Sequence, residues 1–441
     1  MTIRIHCWTA ATAAERQRLL ERPAALRDDA LQNGVREIVS MVREGGDAAL
    51  AALTERFDGV APGRLRVSDE EFDQAELDVS PAAIAAIELS IGNVRRFHEA
   101  QLPVAYEIET MPGIRCERVS RPVDSVGLYV PAGSAPLPST AIMLSVPAGI
   151  AGCPRRVMCT PPRKDGRADP AVLAAARRGG VTEIYKVGGA QAIAAMAFGT
   201  ESIPKVDKIF GPGNAWVTAA KSLIAAAADG AAIDMPAGPS EVLVIADSSA
   251  NARFVAADLL SQAEHGGDSQ VLLVTTDRGL ADEVLGQIEL QLLRLTRRSI
   301  AAQAMQQSRF IVTRDVIEAV EISNAYAPEH LILQIANPRS ILPTIRNAGS
   351  VFLGPWSPES AGDYCSGTNH VLPTSGYARS FSGLAVDQFM RQITVQELSE
   401  PGLRSIAGSI TELAHLEGLD AHAAAVTCRM EPGDHVPGKP N

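Results

Sequence analysis

Aromatic side chains are scarce, only 4% of the 441 residues, which leaves little material for a ring-stacking binding surface. Ala and Gly are abundant instead, and such small residues favour close contact of helices with a sheet. Basic residues are outnumbered, 40 Lys and Arg against 51 Asp and Glu, for a formal charge of −11. Arg155-Arg156 and Arg177-Arg178 are too short to form the positive stripe that neutralising phosphates needs, so no nucleic-acid partner is expected. No apolar run approaches the ~20 residues that span a bilayer. The N-terminal region, with Arg4, His6, Glu15 and Arg16, lacks the apolar stretch of a signal peptide. No membrane partner is expected, and a cytoplasmic location is. The six cysteines, Cys7, Cys116, Cys153, Cys159, Cys365 and Cys428, are scattered without a C-x-x-C. That excludes a zinc ribbon or a thioredoxin-like pair and reads as reduced thiols. Neither G-x-G-x-x-G nor H-E-x-x-H occurs, so a metal site would have to be assembled from distant segments.

What is present is an ordinary globular balance, 46% hydrophobic and 21% charged, in a length suited to two or three domains. The first hundred residues read as helix. Leu31, Val35, Ile38, Val39 and Val42 recur at helical spacing. A second helix starts at Ser80-Pro81, a capping residue followed by Pro in the first turn, with a stripe of Ile84, Ile87, Ile91 and Val94. From about residue 123 the pattern becomes short β-rich runs, glycine turns and Ala-rich helices. The runs are Val126–Val130, Arg156–Thr160, Glu183–Val187 and Val206–Phe210. A second series follows at Glu241–Ala246, Gln270–Thr275, Phe310–Thr313, His330–Leu333 and Ser350–Leu353. Strands alternating with helices of this length predict parallel, doubly wound α/β sheets. Two are expected, the one around residues 125–235 inserted into the other. After about residue 390 the chain returns to helix, with Leu403, Ile406, Ile410 and Leu413 on one face. The last ten residues are polar and rich in Pro and Gly, and are expected to fray.

Glycine turns at Gly133, Gly188 and Gly211 join strand to helix. Backbone N–H groups at such points can bind anions, or the glycines can simply permit tight turns. Gln262 and His265 lie three apart at the end of a helix over Phe254–His265, hence on one face. Glu329-His330 stands just ahead of the run Leu331-Ile332-Leu333. A turn before that strand would let both side chains reach one cavity, and a carboxylate with an imidazole suits proton transfer near neutral pH. The polar segment from Trp356 to His370 carries Glu359, Asp363, Cys365 and His370, and long loops after strands are often functional. Nothing nearby in sequence lowers the pKa of Cys365, so that thiol reads as inert. Asp420 is placed to cap the last helix, with His422 in its first turn.

Nine segments together resemble the histidinol dehydrogenase family, in that family's order. They are Val126-Gly127-Leu128-Tyr129-Val130-Pro131, Val187-Gly188-Gly189-Ala190-Gln191, Phe210-Gly211-Pro212-Gly213-Asn214, Ala237-Gly238-Pro239-Ser240-Glu241 and Ser261-Gln262-Ala263-Glu264-His265. The others are Ala327-Pro328-Glu329-His330, Ser360-Ala361-Gly362-Asp363-Tyr364, Gly367-Thr368-Asn369-His370 and Glu417-Gly418-Leu419-Asp420-Ala421-His422. The resemblance implies oxidation of L-histidinol to L-histidine by two NAD through a bound aldehyde, the last step of histidine biosynthesis. It implies one zinc ion per site on Gln262, His265, Asp363 and His422, a donor set whose imidazoles and carboxylate suit that metal. Ser240, His370 and Glu417 would contact histidinol beside His330 and the zinc ligands, and Tyr129, Gln191 and Asn214 would contact NAD. It also implies an intertwined homodimer in which Glu417 and His422 complete the neighbouring subunit's site.

Pattern and resemblance together divide the chain into a helical extension (1–25), a discontinuous first Rossmann-like domain (26–124 and 238–385), a second on the NAD side (125–237) and a helical tail reaching the partner (386–441). The expected mechanism has His330 taking the alcohol proton, Glu329 activating water for addition to the aldehyde, and His330 acting again on the hydrate. Two departures from the family pattern stand out. A small residue is usual where Cys365 stands, so no role passes to that thiol. Gly is common in place of Ala327, a change that leaves the pair intact unless the backbone needs φ > 0 there. Competing expectations are a sulfonated-diol dehydrogenase on the same scaffold, a zinc hydrolase without nicotinamide, and a thiol-based aldehyde dehydrogenase using Cys116, Cys153 or Cys365.

Overall fold

A computed structural model describes residues 3–23, 29–61, 63–132, 135–236 and 238–431. The turn at Gly133, the expected boundary at residues 25–26 and the polar last ten residues lie outside the described residues. In chain order the strands are β1 (Ile5–Cys7), β2 (Tyr106–Met111), β3 (Ile114–Pro122), β4 (Ser125–Tyr129), β5 (Arg155–Thr160), β6 (Glu183–Lys186) and β7 (Lys208–Phe210). They continue with β8 (Ala232–Ile233), β9 (Glu241–Ala246), β10 (Gln270–Thr275), β11 (Arg309–Val312), β12 (His330–Gln334), β13 (Ser350–Leu353) and β14 (Met390–Leu398).

The chain divides into two compact units, residues 1–102 with 122–389, and residues 103–121 with 390–441. The first unit contains a parallel six-stranded sheet, β1-β11-β10-β9-β12-β13, and a parallel five-stranded sheet, β6-β5-β4-β7-β8. The whole five-stranded sheet is inserted between β1 and β9 of the other. In each, the chain winds outward from a central strand and then returns to its other side, so the order reverses between β9 and β12 and between β4 and β7.

Burial on both faces explains the uninterrupted apolar strands. Along β9, Val242, Val244 and Ala246 face one core with the helices Ala252–Ala263 and Arg278–Leu292. The alternate residues Leu243 and Ile245 face a second core with the helix Val316–Tyr326. The helix Asp29–Asp58, broken at Gly46 (φ 51°), buries Val35, Ile38, Val39, Val42, Leu50 and Leu53 in the core of the five-stranded sheet. Each such side chain contributes about 1.5–3 kcal/mol when fully buried. Ser80 caps the helix Pro81–Glu99 by accepting from Ala83 N–H, and Ile87, Ile91 and Val94 are buried as the stripe requires, with Ile84 half-buried.

The second unit differs from its sequence reading. β14 occupies Met390–Leu398, where helix was expected, and helix begins only at Glu400. It joins β3 and β2 in a three-stranded sheet. Its apolar residues are too few and too interrupted by Gln and Glu to announce a strand. Asp420 is the first residue of the helix Asp420–Thr427 and not its cap; Leu419 holds that position without a side-chain bond. Among the described residues no single helix is long and apolar enough to cross a membrane.

Candidate active site

A cavity of about 280 Å³ opens between the amino ends of β9 and β12 and the carboxyl ends of β4 and β7, all within the first unit. Parallel sheets bind ligands outside their carboxyl ends, where the strand order reverses, and the five-stranded sheet meets that rule with Pro131, Leu137, Gly213 and Asn214. The six-stranded sheet presents its amino ends instead, bringing Ser240, Glu329 and His330 to the same space. Gln262, His265, Asp363, Tyr364, His370 and Thr374 complete much of the wall.

Glu329 and His330 reach one cavity because of the turn that delivers them. The helix Val316–Tyr326 ends on Ala327 in the left-handed conformation, φ 56°. Pro328 follows, and pairing with β9 and β13 begins only at His330. The condition attached to Ala327 is therefore met: the backbone does need a positive φ there. Glu329 Oε2 accepts from Glu241 N–H at 2.8 Å, and His330 Nδ1 lies 3.1 Å from the Glu241 carbonyl. The two side chains are 3.6 Å apart. His330 Nε2 is buried without a hydrogen-bond partner among the described residues, 3.7 Å from Asp363 Oδ1, and is the ring atom left for a ligand.

Electrostatics in this pocket run strongly against ordinary values. Burial pushes Glu329 up to about 8, against the pull of His330 and the Glu241 N–H. Burial alone would lower His330, but the carboxylates of Glu359, Glu329 and Asp363 outweigh it and raise the imidazole to about 10. Burial also acts to raise Asp363, yet His330, His370 and His265 hold its carboxyl below the usual range. His370 is kept low by burial; its Nδ1 is 2.9 Å from the Asp363 carbonyl and its Nε2 is 3.2 Å from Thr140 Oγ1.

The segment from Trp356 to His370 is not loop throughout. Glu359–Tyr364 forms a short helix, packed so closely that a Cβ on Gly362 would come within 2.7 Å of the Phe352 ring. Glu359 and Asp363 stand one helical turn apart and so share a face. Donor atoms of His265, Glu359 and Asp363 all lie within 4.8 Å of one another, a set of imidazole and carboxylate that fits a zinc-like cation. Gln262 is buried beside them; its amide is best satisfied with nitrogen toward Glu359 and oxygen 3.2 Å from Glu241 N–H. Glu359 was not singled out in the sequence, although its spacing of four from Asp363 was a usable signal.

Other expected site residues are placed elsewhere. Asn214 lines the cavity and also caps the helix Ala215–Ala225. Tyr129, at the end of β4, and Gln191, in the first turn of the helix Gly189–Phe198, are buried and do not line the cavity; Tyr129 Oη accepts from Gly189 N–H. Glu417 and His422 belong to the second unit, both exposed. Neither Cys153 nor Cys365 lines the cavity, and burial pushes the Cys153 thiol up to about 11.

The model of the family described as histidinol dehydrogenase matches residues 21–430. The chain belongs to the histidinol dehydrogenase family. It is 53% identical over 424 residues to a histidinol dehydrogenase of Vibrio vulnificus, covering 96% of this chain and 97% of that one. It is 55% identical over 423 residues to that of Xanthomonas oryzae pv. oryzae, covering 96% and 98%. The solved histidinol dehydrogenase of Elizabethkingia anophelis superposes with a TM-score of 0.92 at 49% identity, over 98% of each chain. Family membership makes the chain an oxidoreductase.

Proposed function

We propose that the protein oxidises L-histidinol to L-histidine with two NAD, acting in the cytoplasm as a zinc-containing homodimer. The observation that carries the reading is the convergence of Glu329, His330, His265 and Asp363 on one cavity beneath the carboxyl ends of β4 and β7. Residues 125–237, with Asn214 at the rim and Tyr129 and Gln191 buried, form the NAD side. Ser240 and His370 face the substrate, and Glu417 of a second copy binds it as well. Gln262, His265, Asp363 and a second copy's His422 hold the metal. Zinc at that position supplies positive charge that orients the substrate and opposes the carboxylate field holding His330 high.

The chain's own residues then account for the proton traffic. His330 accepts the alcohol proton at Nε2 as the carbinol carbon gives up hydride to the first NAD. Glu329 takes a proton from water as that oxygen bonds to the aldehyde carbon, and the His330 imidazolium returns its proton to the former carbonyl oxygen, giving the hydrate and a neutral His330. His330 takes a hydroxyl proton of the hydrate as its carbon reduces the second NAD. One water is consumed and four electrons leave the substrate. General-base help of this kind is worth ~10²–10⁴-fold in rate.

A histidinol-plus-NAD assay tests the reading, run before and after chelation and again after zinc is restored. Two NADH per histidinol, lost on chelation and recovered with zinc, is the expected result. A stop at one NADH, or full activity without metal, would refute the four-electron or the metal part respectively.

A further inference from the structure

Glu241 touches both members of the Glu329–His330 pair, yet through its backbone alone: its N–H donates to Glu329 Oε2 and its carbonyl meets His330 Nδ1. Its side chain turns away from the pair and is almost wholly enclosed, 4% exposed. There it receives Arg22 as a two-pronged partner, Nε to Oε1 at 2.5 Å and Nη2 to Oε2 at 2.9 Å. Ser375 N–H donates to Oε1 as well, at 3.0 Å. The same Arg22 Nη2 is 2.8 Å from the Tyr326 carbonyl and 3.3 Å from that of Ala327, and the guanidinium carbon lies 3.8 Å from the centre of the Tyr326 ring. One guanidinium therefore bridges the amino end of β9 and the strained turn that delivers Glu329 and His330.

We propose that Arg22 and Glu241 are positioning residues that set the Glu329–His330 pair, by tying the turn at Tyr326–Ala327 to the strand end whose backbone holds both side chains. The inference rests on the reading of that pair as the proton carriers. The geometry has two consequences. With Nδ1 directed at the Glu241 carbonyl, Nε2 is the ring atom presented to substrate. With Oε2 directed at the Glu241 N–H, the Glu329 carboxylate is fixed while its other oxygen is left for water. A lysine in place of Arg22 keeps the charge but cannot supply a planar fork, so it cannot hold the carboxylate and the turn together.

R22K and E241Q are the test variants, each compared with the unaltered holoenzyme. Displacement of a catalytic group by about 1 Å costs up to about a hundredfold. Both variants should lose about tenfold to a hundredfold in kcat in both half-reactions, with KM for histidinol within about threefold of normal. Zinc content and chelator-competition affinity should be unchanged. The deciding measurement is the cycle with H330N on the alcohol-to-aldehyde step, which Glu329 does not serve: R22K should add little further loss in that background, because its effect there passes through His330. If the losses multiply, or if R22K and E241Q retain full kcat, the positioning role is overturned. Should R22K melt below the assay temperature, E241Q carries the same cycle, since it preserves the backbone atoms and the side-chain shape. An unaltered enzyme that fails to oxidise histidinol would instead refute the functional reading itself.

Discussion

Ala327 holds a left-handed conformation, φ 56°, directly before Pro328-Glu329-His330. That conformation costs an L-residue about 1–2 kcal/mol. Glycine adopts it freely but loses roughly 0.5–1 kcal/mol more backbone entropy on folding. Strain outweighs the entropy, so Ala327→Gly should stabilise the fold by up to about 1 kcal/mol, measurable as a raised urea midpoint with kcat unchanged. At the neighbouring position the expectation is chemical. Glu329→Gln keeps the hydrogen bond to Glu241 N–H but removes the base, so the aldehyde-to-acid half-reaction should slow by ~10²–10⁴-fold while alcohol-to-aldehyde is much less affected. Supplying the aldehyde and the alcohol separately distinguishes the two, and equal losses would contradict the division of labour.

At the scale of single elements the sequence was legible wherever local pattern and burial agree. β9, β10 and β13 occupy the short β-rich runs read from the sequence, and Ser80 caps its helix as its position before Pro81 requires. β14 was not legible, because seven of its nine residues are exposed and no apolar alternation survives. Glu359 was named only as part of the polar segment: its spacing of four from Asp363 becomes a shared face only once the segment is known to be helical, and its burial shows only in the folded chain. The Glu-His pair became specific only when segments distant in sequence, carrying Gln262, His265, Asp363 and His370, were brought to the same cavity. One element carries a pH-dependent prediction. Asp258, on the helix Ala252–Ala263, accepts from Gln334 Nε2 at the end of β12, and burial pushes its carboxyl up to about 6. A raised carboxyl means that the folded state disfavours the ionised form. Stability is therefore lost as pH climbs from about 4 to 6, with no further change above. Asn cannot ionise, and its amide can also donate to Gln334 Oε1, which has no other partner among the described residues. Asp258→Asn should gain on the order of 2–3 kcal/mol near neutral pH and match the original chain below about pH 4, by urea unfolding at both. Equal stabilities at both pH values would show that Asp258 is not held in the neutral form.

At the scale of the whole molecule, the second unit is the part least able to bury itself. Every residue of β2 is exposed, including Tyr106, Ile108 and Met111. On the following helices Leu413 is 61% and Leu416 75% exposed. Exposed apolar side chains of this kind are a common feature of interaction surfaces, and they fit the proposal that a second copy covers this unit and receives His422. Leu413→Glu with Leu416→Glu should shift the protein toward monomer in sedimentation and lower activity together, while isolated zinc binding weakens. Full activity in a strictly monomeric variant would exclude a shared site.

The insertion of one sheet within another also orders events during synthesis. β1 pairs with β11, Ile5 beside Phe310, so roughly 300 residues separate an edge strand from the neighbour that holds it. At ~5–20 residues per second the ribosome takes on the order of 15–60 s to cover that distance. The five-stranded sheet is complete long before, since all its strands lie between Ser125 and Ile233. A growing chain thus carries a finished inner sheet while its first strand waits, and the outer sheet can close only after β13 has been made.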